Sequence, residues 1–188
     1  MDSIRTFIAI PTPTQVRETL REIVAVLQTS GAEVKWEPAD KLHITLKFFG
    51  DIGTNILPDV LEKYTAACGN LKSFSLVYGG LGCFPNSREP RIIWAGSKND
   101  DGLLDQLKKT VDELGIPFGF EPEKRSFQPH ITIGRVKGKR NIPGLIKMLQ
   151  SVTFEPQSFL IDEIYFMKSE LRPAGSIYNR MQSIMLKK

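Results

Sequence analysis

The sequence predicts helices and strands interleaved in two like halves, and three observations carry that reading. The tetrapeptide His43-Ile44-Thr45-Leu46 returns 87 residues later as His130-Ile131-Thr132-Ile133. The same offset carries Val16, Leu20, Val24 and Leu27 onto Leu103, Leu107, Val111 and Leu114, so four apolar helix positions land on four others. The 188 residues are 41% apolar and 24% charged, an ordinary globular balance that excludes a disordered, collagen-like or coiled-coil chain.

The elements follow in order. Ile4 to Ile10 is a β-rich run closed by Pro11 and Pro13. Thr12 has the form of a helix N-cap, with Pro13 at the first helical position and Gln15 completing a capping box. Val16, Leu20, Ile23, Val24 and Leu27 then share one helical stripe, and Gly31 ends it. A strand runs from His43 to Phe49, stopped by Gly50-Asp51, and a second helix spans about Leu57 to Ala67. Phe74 to Tyr78 is strand-like, and Gly79, Gly80, Gly82 and Pro85-Asn86 make the following stretch a loop. In the second half, Arg91 to Ala95 is a strand, Asp101 caps a helix ended by Gly115, and His130 to Val136 is the second motif strand. A helix from Ile142 to Leu149 follows. Phe159 to Met167 and Ile177 to Leu186 close the chain as strands around the turn Pro173-Ala174-Gly175.

These two histidines are the only ones in the chain. Strand alternation puts each His beside its Thr on one face and sends the two aliphatic residues to the core. Two such strands facing one another build a cleft with two imidazoles and two hydroxyls. That is equipment for phosphoryl chemistry without a metal. One imidazole takes a proton from the attacking oxygen, the other gives one to the leaving oxygen, and the hydroxyls donate to the phosphate oxygens. Imidazole suits both tasks because its ordinary pKa is about 6.5. A zinc site is disfavoured, since two histidines leave it short of ligands and Cys68 and Cys83 form no Cys-rich cluster.

The doubled motif resembles the two-histidine phosphoesterases, and within them the RNA 2′,3′-cyclic phosphodiesterases, also described as 2′-5′ RNA ligases. The resemblance extends to Arg5-Thr6-Phe7-Ile8-Ala9-Ile10, Leu42 to Gly50, Phe84-Pro85-Asn86, Arg91 to Gly96, Pro129 to Val136 and Ser169 to Tyr178. It implies an α+β fold, bilobal and pseudo-symmetric, a single domain over 1–188 with antiparallel sheets around a central cleft and helices outside. It assigns His43 as proton donor, His130 as proton acceptor, and Thr45 and Thr132 as phosphate ligands. The implied reaction opens a terminal 2′,3′-cyclic phosphate of RNA to a 2′-phosphate with no cofactor, and some members join tRNA halves through a 2′-5′ linkage.

Four further residues are candidates for binding substrate. The family places an arginine near the phosphate where Arg135 stands. Strict alternation points Arg135 to the core with Ile131 and Ile133, whereas a bulge or kink at Gly134 would re-aim it to the cleft, and the sequence leaves both facings open. Phe48 is the repeat partner of Arg135; it is a core residue or a platform for base or ribose. Arg91 is an electrostatic contact for RNA or a solvated strand end, and Tyr178 matches a family position close to the site. Lys137, Lys139 and Arg140, with Lys41 and Lys47 flanking the first motif, form basic runs able to steer a polyanion, in keeping with a net charge of +4. Trp36 and Trp94 read as core or rim.

No run of about 18 apolar residues is present, and Pro11 cuts the first apolar stretch short of a signal-peptide core. A cytoplasmic protein without membrane contact is therefore expected, and the resemblance implies that it is an enzyme acting, as a monomer, on RNA with cyclic phosphate ends. The motif fixes the chemistry better than the substrate, so a phosphodiesterase for another 2′-linked or cyclic nucleotide is the nearest rival. A module that binds RNA phosphate without turnover is the rival of another class.

Overall fold

The computed structural model describes residues 2–173 and 175–188. Strands β1 (Ser3–Pro11), β2 (Val34–Trp36), β3 (His43–Gly53), β4 (Phe74–Phe84) and β5 (Ile92–Lys98) occupy the first half, with helices α1 (Thr14–Gln28) and α2 (Leu57–Cys68). Helix α3 (Leu103–Gly115), β6 (His130–Val136), α4 (Ile142–Ser151), β7 (Gln157–Ile161), β8 (Glu163–Glu170) and β9 (Ile177–Met185) complete the described residues. One sheet takes them in the order β7-β4-β5-β6-β3-β1-β8-β9, with β2 also paired to β6 and every named pair antiparallel.

The 87-residue repeat is legible in space. β1 and β5, α1 and α3, β3 and β6, and α2 and α4 correspond in order, and the two motif strands stand side by side at the sheet's centre. Among the described residues β3 and β6 meet at the single register Ile44↔Ile131. Beyond it they diverge, and β2 takes up the free side of β6 from Val34↔Val136 to Trp36↔Gly134. This splay opens the cleft. The helices exchange between the halves: α2 packs on α3, which reaches β3, while α4 contacts α1 and β4. The Gln157 amide donates to the Thr19 hydroxyl at 3.0 Å, tying α1 to β7.

Ile8, Ile10, Leu20, Leu46, Ile93, Val111, Ile131, Ile133 and Phe166 are among the residues of the core, as the alternation and the stripes predict. In α3 it is Leu104 rather than Leu103 that is fully covered.

Five expectations are corrected. The capping box does not form: helix α1 begins at Thr14 after an extended Pro13, and the buried Thr12 hydroxyl has no hydrogen-bond partner among the described residues. Gly50 does not stop its strand. It adopts φ +73° beside a register shift opposite β1, so a residue that tolerates positive φ carries the ladder through a bulge. Gly79, Gly80 and Gly82 likewise lie inside β4, where Gly80 has φ +74° at a shift between Tyr78 and Leu81. The predicted strand Phe159–Met167 is two strands, because the chain passes at Asp162 from β4 at one end of the sheet to β1 in the other half. Strand β2 is an addition to the expected elements; at three residues it is too short to show a period. The N-cap of α3 is Gly102 rather than Asp101, which stands one residue before it and accepts from the Leu103 amide through its carboxylate at 2.9 Å. Ala174, within the predicted Pro173-Ala174-Gly175 turn, lies outside the described residues.

Candidate active site

Both motif strands bulge at the same place in the repeat. Along β3, Thr45 pairs with Ala9 and Lys47 with Ile8, leaving Leu46 as the extra residue. Along β6, Thr132 pairs with Trp94 and Gly134 with Ile93, leaving Ile133. One extra residue inverts the facing of everything after it. Phe48 therefore stands with His43 and Thr45, and Arg135 with His130 and Thr132, where straight strands would have sent both to the core. Of the two facings left open for Arg135, the bulged one is present, with the extra residue at Ile133 rather than at Gly134.

The resulting cleft, about 910 Å³, is lined by His43, Thr45, Phe48, His130, Thr132, Arg135 and Tyr178 together with other residues. Each imidazole is held in the same way. The Nδ1 of His43 lies 2.7 Å from the Lys41 carbonyl, and that of His130 lies 2.7 Å from the Gln128 carbonyl, two residues back in both cases. A carbonyl only accepts, so each Nδ1 carries the proton and each Nε2 is left for the cleft. Neither Thr45 nor Thr132 spends its hydroxyl on another group among the described residues.

The surroundings of the two rings differ. His43 stacks on Phe7 at 4.9 Å between centroids and meets the edge of Tyr178 at 5.3 Å. His130 meets the edge of Phe84 at 5.1 Å, and Phe84 lies against Trp94. Burial pushes the His43 imidazole below its ordinary 6.5; the Lys41 carbonyl and the Glu37 carboxylate pull it back, and Arg135 adds to the lowering.

Arg135 pairs with Glu37 at 3.0 Å across the cleft wall. Phe48 is 66% exposed, which rules out the core alternative. Tyr178 lines the cleft, as does Lys41, whose ammonium donates to the Ser176 carbonyl at 2.8 Å. Arg91 is not among the lining residues; it precedes β5 on the exposed surface, and its amide bonds the Phe84 carbonyl. The run Lys137 to Arg140 lies outside the cleft lining, with Arg140 turned to the Gly31 carbonyl and Glu33. Lys47 is no solvated flank: it is 5% exposed and donates to Asp112 at 3.0 Å and to the Glu121 carbonyl at 2.8 Å.

Sequence reasoning missed several contributors. Phe7 and Phe84 back the histidines, Glu37 holds Arg135, and residues 123–128 form a wall of the cleft. A signal for Phe84 exists, since it heads one of the family-like segments. Residues 123–128 carry no periodicity to betray them. Among the described residues no group of three or more His, Cys, Asp or Glu side chains is placed to hold a metal. No helix among them is long and apolar enough to cross a membrane.

Comparison with known proteins shows the family and the fold. The family described as LigT-like phosphoesterase matches residues 10–94 and 98–178. A relative from Methanothermobacter thermautotrophicus, named RNA 2′,3′-cyclic phosphodiesterase, is 36% identical over 97% of this chain and 99% of its own. One from Thermotoga maritima with the same name is 32% identical over 93% and 91%. Among solved structures, one from Thermus thermophilus superposes with a TM-score of 0.81 at 24% identity, covering 97% of this chain and 98% of that one. Escherichia coli LigT complexed with 3′-AMP has a TM-score of 0.77 at 22% identity over the whole of both chains.

Proposed function

The chain belongs to the LigT-like phosphoesterase family, and from that premise we propose that it hydrolyses the terminal 2′,3′-cyclic phosphate of RNA by acid–base catalysis between His43 and His130. The observation that supports this most directly is the matched pair of tethers. Each Nδ1 is fixed by the carbonyl two residues back, so the same nitrogen, Nε2, faces the cleft from both strands. A neutral ring then accepts a proton at Nε2 and a charged ring donates one there.

In the proposed step His130 takes a proton from water as its oxygen bonds to phosphorus. The bond from phosphorus to the 3′-oxygen breaks, and His43 gives its Nε2 proton to that oxygen. The product is a 2′-phosphomonoester with a free 3′-hydroxyl. Thr45 and Thr132 donate to the non-bridging oxygens, where charge accumulates. Arg135, oriented by Glu37, adds a positive charge beside them, and Phe48 and Tyr178 offer faces to the sugar or base. With an RNA 5′-hydroxyl in place of water, the same step forms a 2′-5′ bond, so tRNA halves are candidate substrates for the joining direction. Relatives that carry the RNA 2′,3′-cyclic phosphodiesterase name favour RNA over other cyclic nucleotides as substrate.

The test is turnover of an oligonucleotide ending in a 2′,3′-cyclic phosphate, in the presence of a strong chelator. Release of 2′-phosphate ends is expected, with losses of about 10²–10⁴ in His43→Ala and in His130→Ala. Activity abolished by the chelator and restored by zinc or manganese would overturn the metal-free scheme.

A further inference from the structure

Between α3 and β6, residues 121–128 run without helix or strand, and Glu123, Lys124, Arg125, Ser126, Phe127 and Gln128 all line the cleft. This segment is fixed at both ends by charged groups from beneath. The buried Lys47 ammonium donates to the Glu121 carbonyl at 2.8 Å. Lys108, also buried, lies over the Phe127 ring at 5.6 Å, and both lysines bond to the Asp112 carboxylate. At its far end the Gln128 carbonyl holds His130. The wall is thus anchored to the catalytic strand it faces.

What it presents is charge. Lys41 is committed to the Ser176 carbonyl and Arg135 to Glu37, whereas Lys124 and Arg125 have no ion pair or hydrogen bond among the described residues. Of the segment's two carboxylates, Glu121 and Glu123, it is Glu123 that lines the cleft. An RNA end carries two kinds of phosphate: the cyclic one, and the phosphodiester on the 5′ side of the same nucleotide. The histidines and threonines serve the first. At about 910 Å³ the cleft is near the top of the usual range for ligand pockets, roughly 300–1,000 Å³, and has room for more than one phosphate.

We propose that Lys124 and Arg125 form a second phosphate subsite that binds this 5′ phosphodiester, so that the enzyme selects RNA chains over free nucleoside 2′,3′-cyclic phosphates. The proposal rests on the cyclic phosphodiesterase reading above. The wall's anchorage to β3 through Lys47 makes it a preformed surface, which binds at a lower entropic cost than a loop ordered by its ligand.

The experiment compares kcat/KM for a dinucleotide ending in 2′,3′-cyclic phosphate with that for a nucleoside 2′,3′-cyclic phosphate. Wild-type protein should favour the dinucleotide by at least about ten-fold, as one charge-assisted hydrogen bond supplies. In Lys124→Gln/Arg125→Gln that ratio should fall toward one, and Lys124→Glu/Arg125→Glu should invert it. The slope of log kcat/KM against log salt for the dinucleotide should also become shallower by about 0.7 for each cation removed from the phosphate. A wild-type ratio near one, or a ratio unchanged in both double variants, overturns the subsite while leaving the enzyme's reaction standing. Turnover of neither substrate by the wild type overturns the underlying reading and the subsite with it.

Discussion

Asp112 on α3 accepts from two buried lysines, Lys47 of the first motif strand at 3.0 Å and Lys108 one turn before it on its own helix. The lysine side chains are 5% and 8% exposed and the carboxylate 16%, so little water screens the cluster. Asp112→Asn keeps the shape and an acceptor oxygen while deleting the only charge that offsets two cations among the residues bonded there. At 3.0 Å and an effective dielectric near 20, each pairing is worth several kcal/mol before desolvation. Removing one partner of a buried set costs about 3–5 kcal/mol, because the charges left behind stay desolvated. For a chain of this size that is a fall in Tm of roughly 10 °C, or about 2 M in the urea midpoint at constant slope. Equilibrium urea denaturation followed by far-UV circular dichroism measures it. The triple change Lys47→Met/Asp112→Leu/Lys108→Met should recover most of the loss, since apolar groups of like volume replace buried ion sets at little cost. A single-variant cost below about 1 kcal/mol would refute the argument.

Three further outcomes follow from the geometry. Thr45→Val and Thr132→Val should each lower kcat on a cyclic-phosphate-ended oligonucleotide by about ten- to a thousand-fold, as for donors to developing phosphate charge; wild-type rates in both would remove the hydroxyls from the mechanism. A Cβ on Gly134 would meet Val34 Cγ1 at 2.8 Å and Trp36 Cε3 at 2.9 Å. Gly134→Ala should therefore cost about 1–3 kcal/mol in thermal denaturation, and an unchanged Tm would show that β2 yields freely. Burial holds His43 below 6.5 in the empty cleft, and a proton donor must be charged, so the alkaline limb of kcat/KM should begin on the acid side of pH 6.5. A bound cyclic phosphate carries a negative charge that favours the imidazolium, so the same limb in kcat should lie at higher pH; coincident limbs would refute the donor role.

The central strands and the helices are legible in the sequence because their faces repeat: Val16, Leu20, Ile23 and Leu27 on α1 are buried at helical spacing, and Ile44, Leu46, Ile131 and Ile133 at strand spacing. Where the chain departs from a period, sequence and structure part. Gly50 and Gly80 look like stops because glycine at positive φ ends elements as often as it bulges them, and only the neighbouring strand decides which. Phe159–Met167 reads as one apolar run, yet its two pieces belong to different ends of the sheet. At the site, repetition alone singles out His43, Thr45, His130 and Thr132. The cleft facing of Phe48 and Arg135 is not decidable from alternation, because it turns on a bulge at Leu46 and at Ile133 that, apart from Gly134 beside the second, nothing in the strand sequence signals. Lys47 is misplaced for the same reason: the bulge at Leu46 puts its stem toward the core, where Asp112 awaits it.

The repeat makes two equal imidazoles, and acid–base catalysis needs two unequal ones. The tethers do not distinguish them, for each Nδ1 donates to a carbonyl at 2.7 Å. The neighbours do. The first half supplies Phe7 beneath His43 and places Phe48 two residues past the bulge, while Tyr178 from β9 meets the ring's edge. The second half places Arg135 at the equivalent position, held by Glu37, and among the described residues His130 meets one aromatic ring, Phe84. The two rings therefore differ in their aromatic neighbours and in burial, while the Glu37–Arg135 pair acts electrostatically on the buried His43. A ring in an apolar enclosure loses its charge readily in the empty cleft and regains it when an anion enters, so its proton becomes available as the phosphate arrives. Under the proposed roles that coupling of protonation to substrate suits a donor to the leaving oxygen, and the asymmetry such a scheme needs would come from neighbours such as Phe7 and Tyr178 rather than from the motif itself.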